Sequence, residues 1–149
     1  MLQEKTSFVN EVMQKNVISI DITSSVKDAA TIMTDAKVGC VVVTKNNAPV
    51  GIITERDLVR RVISADKPSS VLVSDVMSSP LITAKPDYNL WELTQLMKTK
   101  SLHRIPVEKD NQLVGIVTST DIVRIHCLAT GPEICKITEQ IISRNSTKR

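Results

Sequence analysis

The chain repeats itself at a spacing of 64 residues. Val50-Gly51-Ile52-Ile53-Thr54-Glu55-Arg56-Asp57 returns as Val114-Gly115-Ile116-Val117-Thr118-Ser119-Thr120-Asp121. Val12-Met13 returns as Val76-Met77, Met33 as Met97 and Val43 as Val107, all without a gap. Residues 12–61 laid on 76–125 share fourteen identities in fifty positions. Random pairing at average composition would give roughly three. A repeat this short is one supersecondary unit used twice, with the copies burying each other. The 149 residues suit one compact domain or two tightly packed halves, and two related halves can enclose a cleft.

Each copy reads as strand, helix, strand, strand, helix. In the first, Val17 to Ile20 is a short strand, and Ser25 caps a helix with Val26, Ala29, Ala30 and Met33 on one face. Val38 to Thr44 is a nearly continuous apolar run and reads as a buried strand. Asn46 to Pro49 is a turn into the strand Val50 to Thr54, and Leu58, Val59, Val62 and Ile63 give a second helical face. In the second copy, Leu81 to Thr83 opens as a strand, and Asn89 with Glu92 has capping-box spacing before Leu90, Leu93, Leu96 and Met97. Ile105-Pro106-Val107 is a strand, Glu108 to Gln112 a turn, Leu113 to Thr118 the returning strand, and Asp121 to Leu128 a helix. The expected division is an N-terminal arm or helix over 1–11, the first motif over 12–64, a connector over 65–75, the second motif over 76–130, and a C-terminal helix and basic tail over 131–149. In that last segment Gly131-Pro132 stops the preceding helix, and Ile134, Ile137, Ile141 and Ile142 mark a further helical face.

Composition narrows the function classes. Aromatic residues make up only 2%, which argues against stacking bases of single-stranded nucleic acid. The net charge of +3 is too small to point to a polyanion. Three cysteines without C-x-x-C spacing, Cys40, Cys127 and Cys135, imply neither a disulfide framework nor a zinc site. No basic-then-apolar leader opens the sequence, and no apolar run approaches the roughly twenty residues of a membrane span. The reading is a reduced, cytoplasmic protein with no membrane partner. No P-loop, no H-E-x-x-H and no clustered Ser/His/Asp or Cys/His set is present, so no catalytic residue, metal or enzymatic activity is expected.

The chemistry centres on apolar-Gly-Ile-apolar-Thr-x-x-Asp, present at two strand-to-helix junctions. One reading is structural: Thr54 and Thr118 cap helices, Asp57 and Asp121 bond back to the caps, and the glycines permit close packing. The other is functional. A helix start offers free N–H groups to an anion, and a first-turn aspartate can accept hydrogen bonds from a ribose diol. His103-Arg104 lies before a strand; as a basic pair it is either solvated surface or a phosphate contact. Arg56 is a weaker phosphate candidate, and His126 reads as packing or surface.

With these residues assembled, both copies resemble CBS motifs, and residues 8–130 resemble a tandem CBS-domain pair, or Bateman module. The resemblance rests on Val12-Met13 and Val76-Met77, on Val38 to Val43 and His103 to Val107, and on both Gly-Ile-x-Thr-x-x-Asp signatures. It implies an α/β (α+β) fold of two motifs, each a small mixed sheet with two helices, packed with pseudo-twofold symmetry. It also implies a homodimer that binds AMP, ADP, ATP or a related adenosyl ligand such as S-adenosylmethionine in interdomain clefts, and that signals to a downstream protein. Carried over by position, the first cleft takes Thr54, Arg56 and Asp57 for ribose and phosphate, the backbone around Ile82 for adenine, and His103 with Arg104 for phosphate. The second takes Thr118, Ser119, Thr120 and Asp121, the backbone around Ile18, and Gly39 with Cys40 in the places of His103 and Arg104. The clefts are therefore unequal, since only the first has a cation there. The alternatives are a constitutive dimerisation scaffold with vestigial clefts and a nucleic-acid-binding protein using the basic tail.

Overall fold

The computed structural model of the chain describes residues 7–130. The expected C-terminal helix and tail, with Cys135, and the first six residues of the N-terminal arm lie outside the described residues, as do the side chains of His126 and Cys127. In chain order the elements are α1 (Val9–Val12), β1 (Ser19–Asp21), α2 (Val26–Ala36), β2 (Cys40–Lys45) and β3 (Ala48–Thr54), then α3 (Glu55–Asp57), which runs on as a π-helical stretch over Leu58–Ile63. There follow α4 (Val73–Val76), α5 (Leu90–Lys100), β4 (Arg104–Lys109), β5 (Gln112–Thr118) and α6 (Ser119–Thr130). The fold is mixed α+β, as the repeat implied. The elements fall into two units: residues 15–83 with 108–114, and the residues up to 14 with 84–107 and those from 115 onward.

In the first unit the strand order is β1-β2-β3. β1 runs parallel to β2 with Ile20 beside Val43, and β2 pairs antiparallel with β3 from Cys40–Thr54 to Lys45–Ala48. The core joins Ile20, Val41, Val43 and Ile53 of the sheet to Val26, Ala29 and Met33 of α2, with Val62, Val73 and Val76. Three of the four α2 positions chosen from periodicity, Val26, Ala29 and Met33, are buried, and Ala30 is half-buried. Ser25 caps α2 as expected: its hydroxyl accepts from the Asp28 N–H at 3.1 Å, and Asp28 accepts from the Ser25 N–H at 3.1 Å. The hydrogen bonds from Ser25 hold the Asp28 carboxyl below its ordinary range. α2 ends on Lys37 in the left-handed region (φ 55°), with the Val38 N–H returning to the Met33 carbonyl at 3.0 Å.

The second unit repeats these devices 64 residues on. Asn89 caps α5 by accepting from the Glu92 N–H at 2.9 Å, and Ser101 (φ 53°) ends it with Leu102 N–H on the Met97 carbonyl. Leu93, Met97, Ile105, Val107 and Val117 are buried there.

Several expectations need correction. The turns are shorter than the sequence suggested, and the strands longer. Asn46 and Asn47 have φ of 52° and 64°, and Asp110 and Asn111 have φ of 51° and 64°. Two consecutive left-handed residues make a two-residue hairpin turn whose twist matches the strands, so β3 starts at Ala48 and β5 at Gln112. Pro49 is accommodated by the register shift after Val43. The expected strand Leu81–Thr83 does not form; a single parallel bridge, Ala84 to Val107, stands at the position of Ile20 to Val43. The cause is two prolines. In the first copy Val42 N–H donates to the Ile18 carbonyl and Ile22 N–H to the Thr44 carbonyl. The corresponding residues, Pro106 and Pro86, have no N–H, so the ladder is cut on both sides of Ala84. Where an arm or helix was expected over 1–11, the described residues form the four-residue turn α1; the four-residue turn α4 was not foreseen.

Candidate functional site

The two Gly-Ile-x-Thr-x-x-Asp junctions have nearly identical geometry. Thr54 caps α3: the Asp57 N–H donates to the Thr54 hydroxyl at 3.2 Å, while Asp57 Oδ2 accepts from the Thr54 N–H at 2.9 Å and the Thr54 hydroxyl at 3.0 Å. At Thr118 and Asp121 the same three distances are 3.3, 2.8 and 3.0 Å. The capping-box reading is therefore correct for both. It uses only Oδ2 of each aspartate, so it leaves Oδ1 for other chemistry.

The expected free N–H groups at the helix starts are mostly spoken for. The Glu55 N–H donates to the Gly39 carbonyl at 3.1 Å and the Ser119 N–H to the His103 carbonyl at 2.9 Å. With Asp57 and Asp121 amides held by the caps, Arg56 and Thr120 carry the remaining first-turn amides. The same bonds place Gly39 and Cys40 beside Thr54, and His103 beside Ser119, within their own units. The first unit thus holds Thr54, Arg56, Asp57, Ile18, Gly39, Cys40 and Ile82, and the second His103, Arg104, Thr118, Ser119, Thr120 and Asp121. Arg56, His103 and Arg104 are exposed, and Ile18 and Ile82 are half-buried. The Ile18 carbonyl accepts from Val42 at 3.1 Å. The proline at 106 removes the corresponding donor for Ile82.

The glycines of the two junctions are required by close approach. A side chain at Gly51 would collide with the Met77 sulfur and lie 3.1 Å from the Ser78 carbonyl oxygen; at Gly115 it would meet the Met13 sulfur and lie 3.1 Å from the Gln14 carbonyl oxygen. Each Val-Met that opens one sequence copy therefore packs on the glycine strand of the other copy. Gln14 bridges Ile116 on both sides of the backbone, and Ser78 bridges Ile52 in the same way.

Two neighbours of the aspartates escaped the sequence reading, and they make the junctions unequal. Arg61 sits beside Asp57, its Nε 3.6 Å from Oδ1, and its Nη1 donates to the Val76 and Met77 carbonyls at 2.9 and 3.0 Å. Position 125 in the second copy is isoleucine. At Asp121, Oδ1 instead accepts from the Gln14 amide, Nε2, at 3.1 Å. The residue 64 positions on from Gln14 is Ser78. The 64-residue offset exposes both differences, but nothing in the sequence says that residues 107 apart meet.

The family model of the CBS domain matches residues 9–64 and 73–126. An uncharacterised protein of Methanopyrus kandleri is 41% identical over 120 residues, 78% of this chain and 61% of that protein's length. Among solved structures, an uncharacterised conserved protein of Pyrococcus horikoshii has TM-score 0.75 at 28% identity, covering 83% of this chain and 94% of that one. A CBS domain pair solved with 5′-methylthioadenosine and S-adenosyl-L-methionine has TM-score 0.74 at 26% identity, covering 81% of this chain and 96% of that one.

Proposed function

Because the chain belongs to the CBS-domain family and carries two CBS domains in tandem, we propose that it is a regulatory module that binds an adenosyl ligand and signals by changing conformation. The observation that carries this is the pair of buried aspartates at equivalent junctions, each with one oxygen closing a cap and the other not used by it. A ribose diol donates hydrogen bonds, and a carboxylate oxygen backed by a rigid cap is a pre-organised acceptor for it. Support comes from the CBS pair solved with two adenosyl compounds. AMP, ADP, ATP and S-adenosylmethionine share the group that this site would read.

In this reading Thr54 and Asp57 hold one ribose and Thr118 and Asp121 another, the backbone around Ile82 and Ile18 meets adenine, and His103 and Arg104 face phosphate, whereas Gly39 and Cys40 offer no cation. The ligand shifts a pre-existing equilibrium by its differential affinity for the two states. A homodimer passes that change to a downstream protein. Calorimetric titration of AMP, ADP, ATP and S-adenosylmethionine tests the proposal. Saturable binding of at least one is expected. Absence of binding by all four at millimolar concentration would leave a scaffold without a ligand.

A further inference from the structure

We infer that Gln14 acts as a built-in competitor at the second junction, occupying the oxygen of Asp121 that a ligand diol would need. The inference rests on the adenosyl-binding reading and concerns which of its two sites fills first. Asp57 and Asp121 are held alike: Oδ2 accepts the same two bonds from the capping threonine at 2.8–3.0 Å. Both are more than nine-tenths buried. They differ at Oδ1. Asp121 Oδ1 accepts a hydrogen bond from Gln14 at 3.1 Å. Asp57 Oδ1 faces Arg61 Nε at 3.6 Å, which is an ion pair but too long for a hydrogen bond.

The source of the difference is one side chain on matching backbone. Gln14 exchanges backbone bonds with Ile116 at 2.8 and 3.0 Å, and Ser78 exchanges them with Ile52 at 2.9 and 3.2 Å. The two positions are therefore anchored identically on the strand that carries the junction glycine. From that anchor glutamine spans the distance to the aspartate and serine, two atoms shorter in reach, forms no such bond. A diol arriving at Asp57 meets an oxygen that is in an ion pair but accepts no hydrogen bond, beside a guanidinium held on two carbonyls. At Asp121 it must displace or share the Gln14 amide, and lose part of what the new bond gives. Because Gln14 is exposed, the amide can swing out, so the second site is weakened and not closed.

The experiment swaps the residues of the two copies and uses adenosine, which carries no phosphate, so that Arg104 does not enter. In an Asp57→Ala background the site at Asp121 is titrated alone, with Gln14 and with Gln14→Ser. Gln14→Ser is expected to tighten adenosine binding about tenfold, the low end for one hydrogen bond to a charged group. Adding Asp121→Ala should abolish that gain. The reverse swap, Ser78→Gln in the otherwise unchanged chain, should weaken the Asp57 site by a similar factor, and it keeps the test open if the Asp57→Ala background folds poorly. Circular dichroism melts confirm the fold of each variant. Unchanged or weaker binding in folded Gln14→Ser would overturn the inference while leaving ligand binding intact. Wild-type protein that binds no adenosine at all would overturn both.

Discussion

At the scale of single residues, Asp57 and Asp121 close caps, and the proposed function gives them a second duty toward ribose that mutation can separate from the first. Asp57→Ala removes both, and should cost about 1 kcal/mol of stability through the lost cap together with roughly 1.5–3 kcal/mol of binding for each bond lost to the ligand. Asp57→Asn keeps an oxygen for the Thr54 N–H, so it should melt close to wild type while still losing the charge that strengthens binding. Denaturation and titration on the same samples check this. If both variants lose stability but bind normally, the aspartates are caps and nothing more. Arg104→Ala should weaken AMP and leave adenosine unchanged, because a guanidinium reads phosphate and adenosine offers none. Equal losses for both ligands would make Arg104 a support of the fold. The threonines, aspartates and glycines of this site were readable because the motif occurs twice in sequence. Gln14 and Arg61 were not, since their effect depends on where folding brings the backbone of α1 and the carbonyls that end α4.

At the scale of elements, caps and periodicity carried the reading of α2 and α5. Ser25, Asn89 and the apolar stripes Val26–Ala29–Met33 and Leu93–Met97 stand where the sequence placed them. Edges failed where hydrogen-bond accounting between distant segments decides. The strand expected at Leu81–Thr83 is apolar enough, yet Pro86 and Pro106 remove the donors that its parallel partner would need. The seating of Met77 on Gly51 also joins segments that the sequence reading kept apart, and it gives an element-level prediction. Gly51→Ala should destabilise by about 1–3 kcal/mol, the usual cost of overpacking. Combining it with Met77→Ala should cost less than the sum of the two single changes, because the collision disappears with the sulfur. Strict additivity in urea denaturation would show that the methionine does not set the requirement for glycine.

At the scale of the whole molecule, the repeat announced two related halves, and the proposal makes them a dimeric sensor. The helical stretch after α3 buries Val62 and packs Leu58 on the core. Its open face carries Val59, 57% exposed, and Ile63, 73% exposed, so these are the residues on which to test assembly. The helical phase in this stretch follows i to i+5 bonding, Ser64 N–H on the Val59 carbonyl and Lys67 N–H on the Val62 carbonyl, which a count at 3.6 residues per turn misses. Val59→Glu with Ile63→Glu should convert a dimer to a monomer by light scattering without lowering the melting temperature of the fold appreciably. A monomer mass for the wild type at tens of micromolar would remove the dimer from the account. Binding of an adenosyl ligand by the paired junctions is decided by thermal unfolding of wild type and of the Asp57→Ala/Asp121→Ala double variant, each with and without AMP, ADP, ATP or S-adenosylmethionine. At a hundred times Kd, bound ligand should add about 2.7 kcal/mol to the wild type and little to the double variant. An equal gain in both proteins, or none in either, would contradict it.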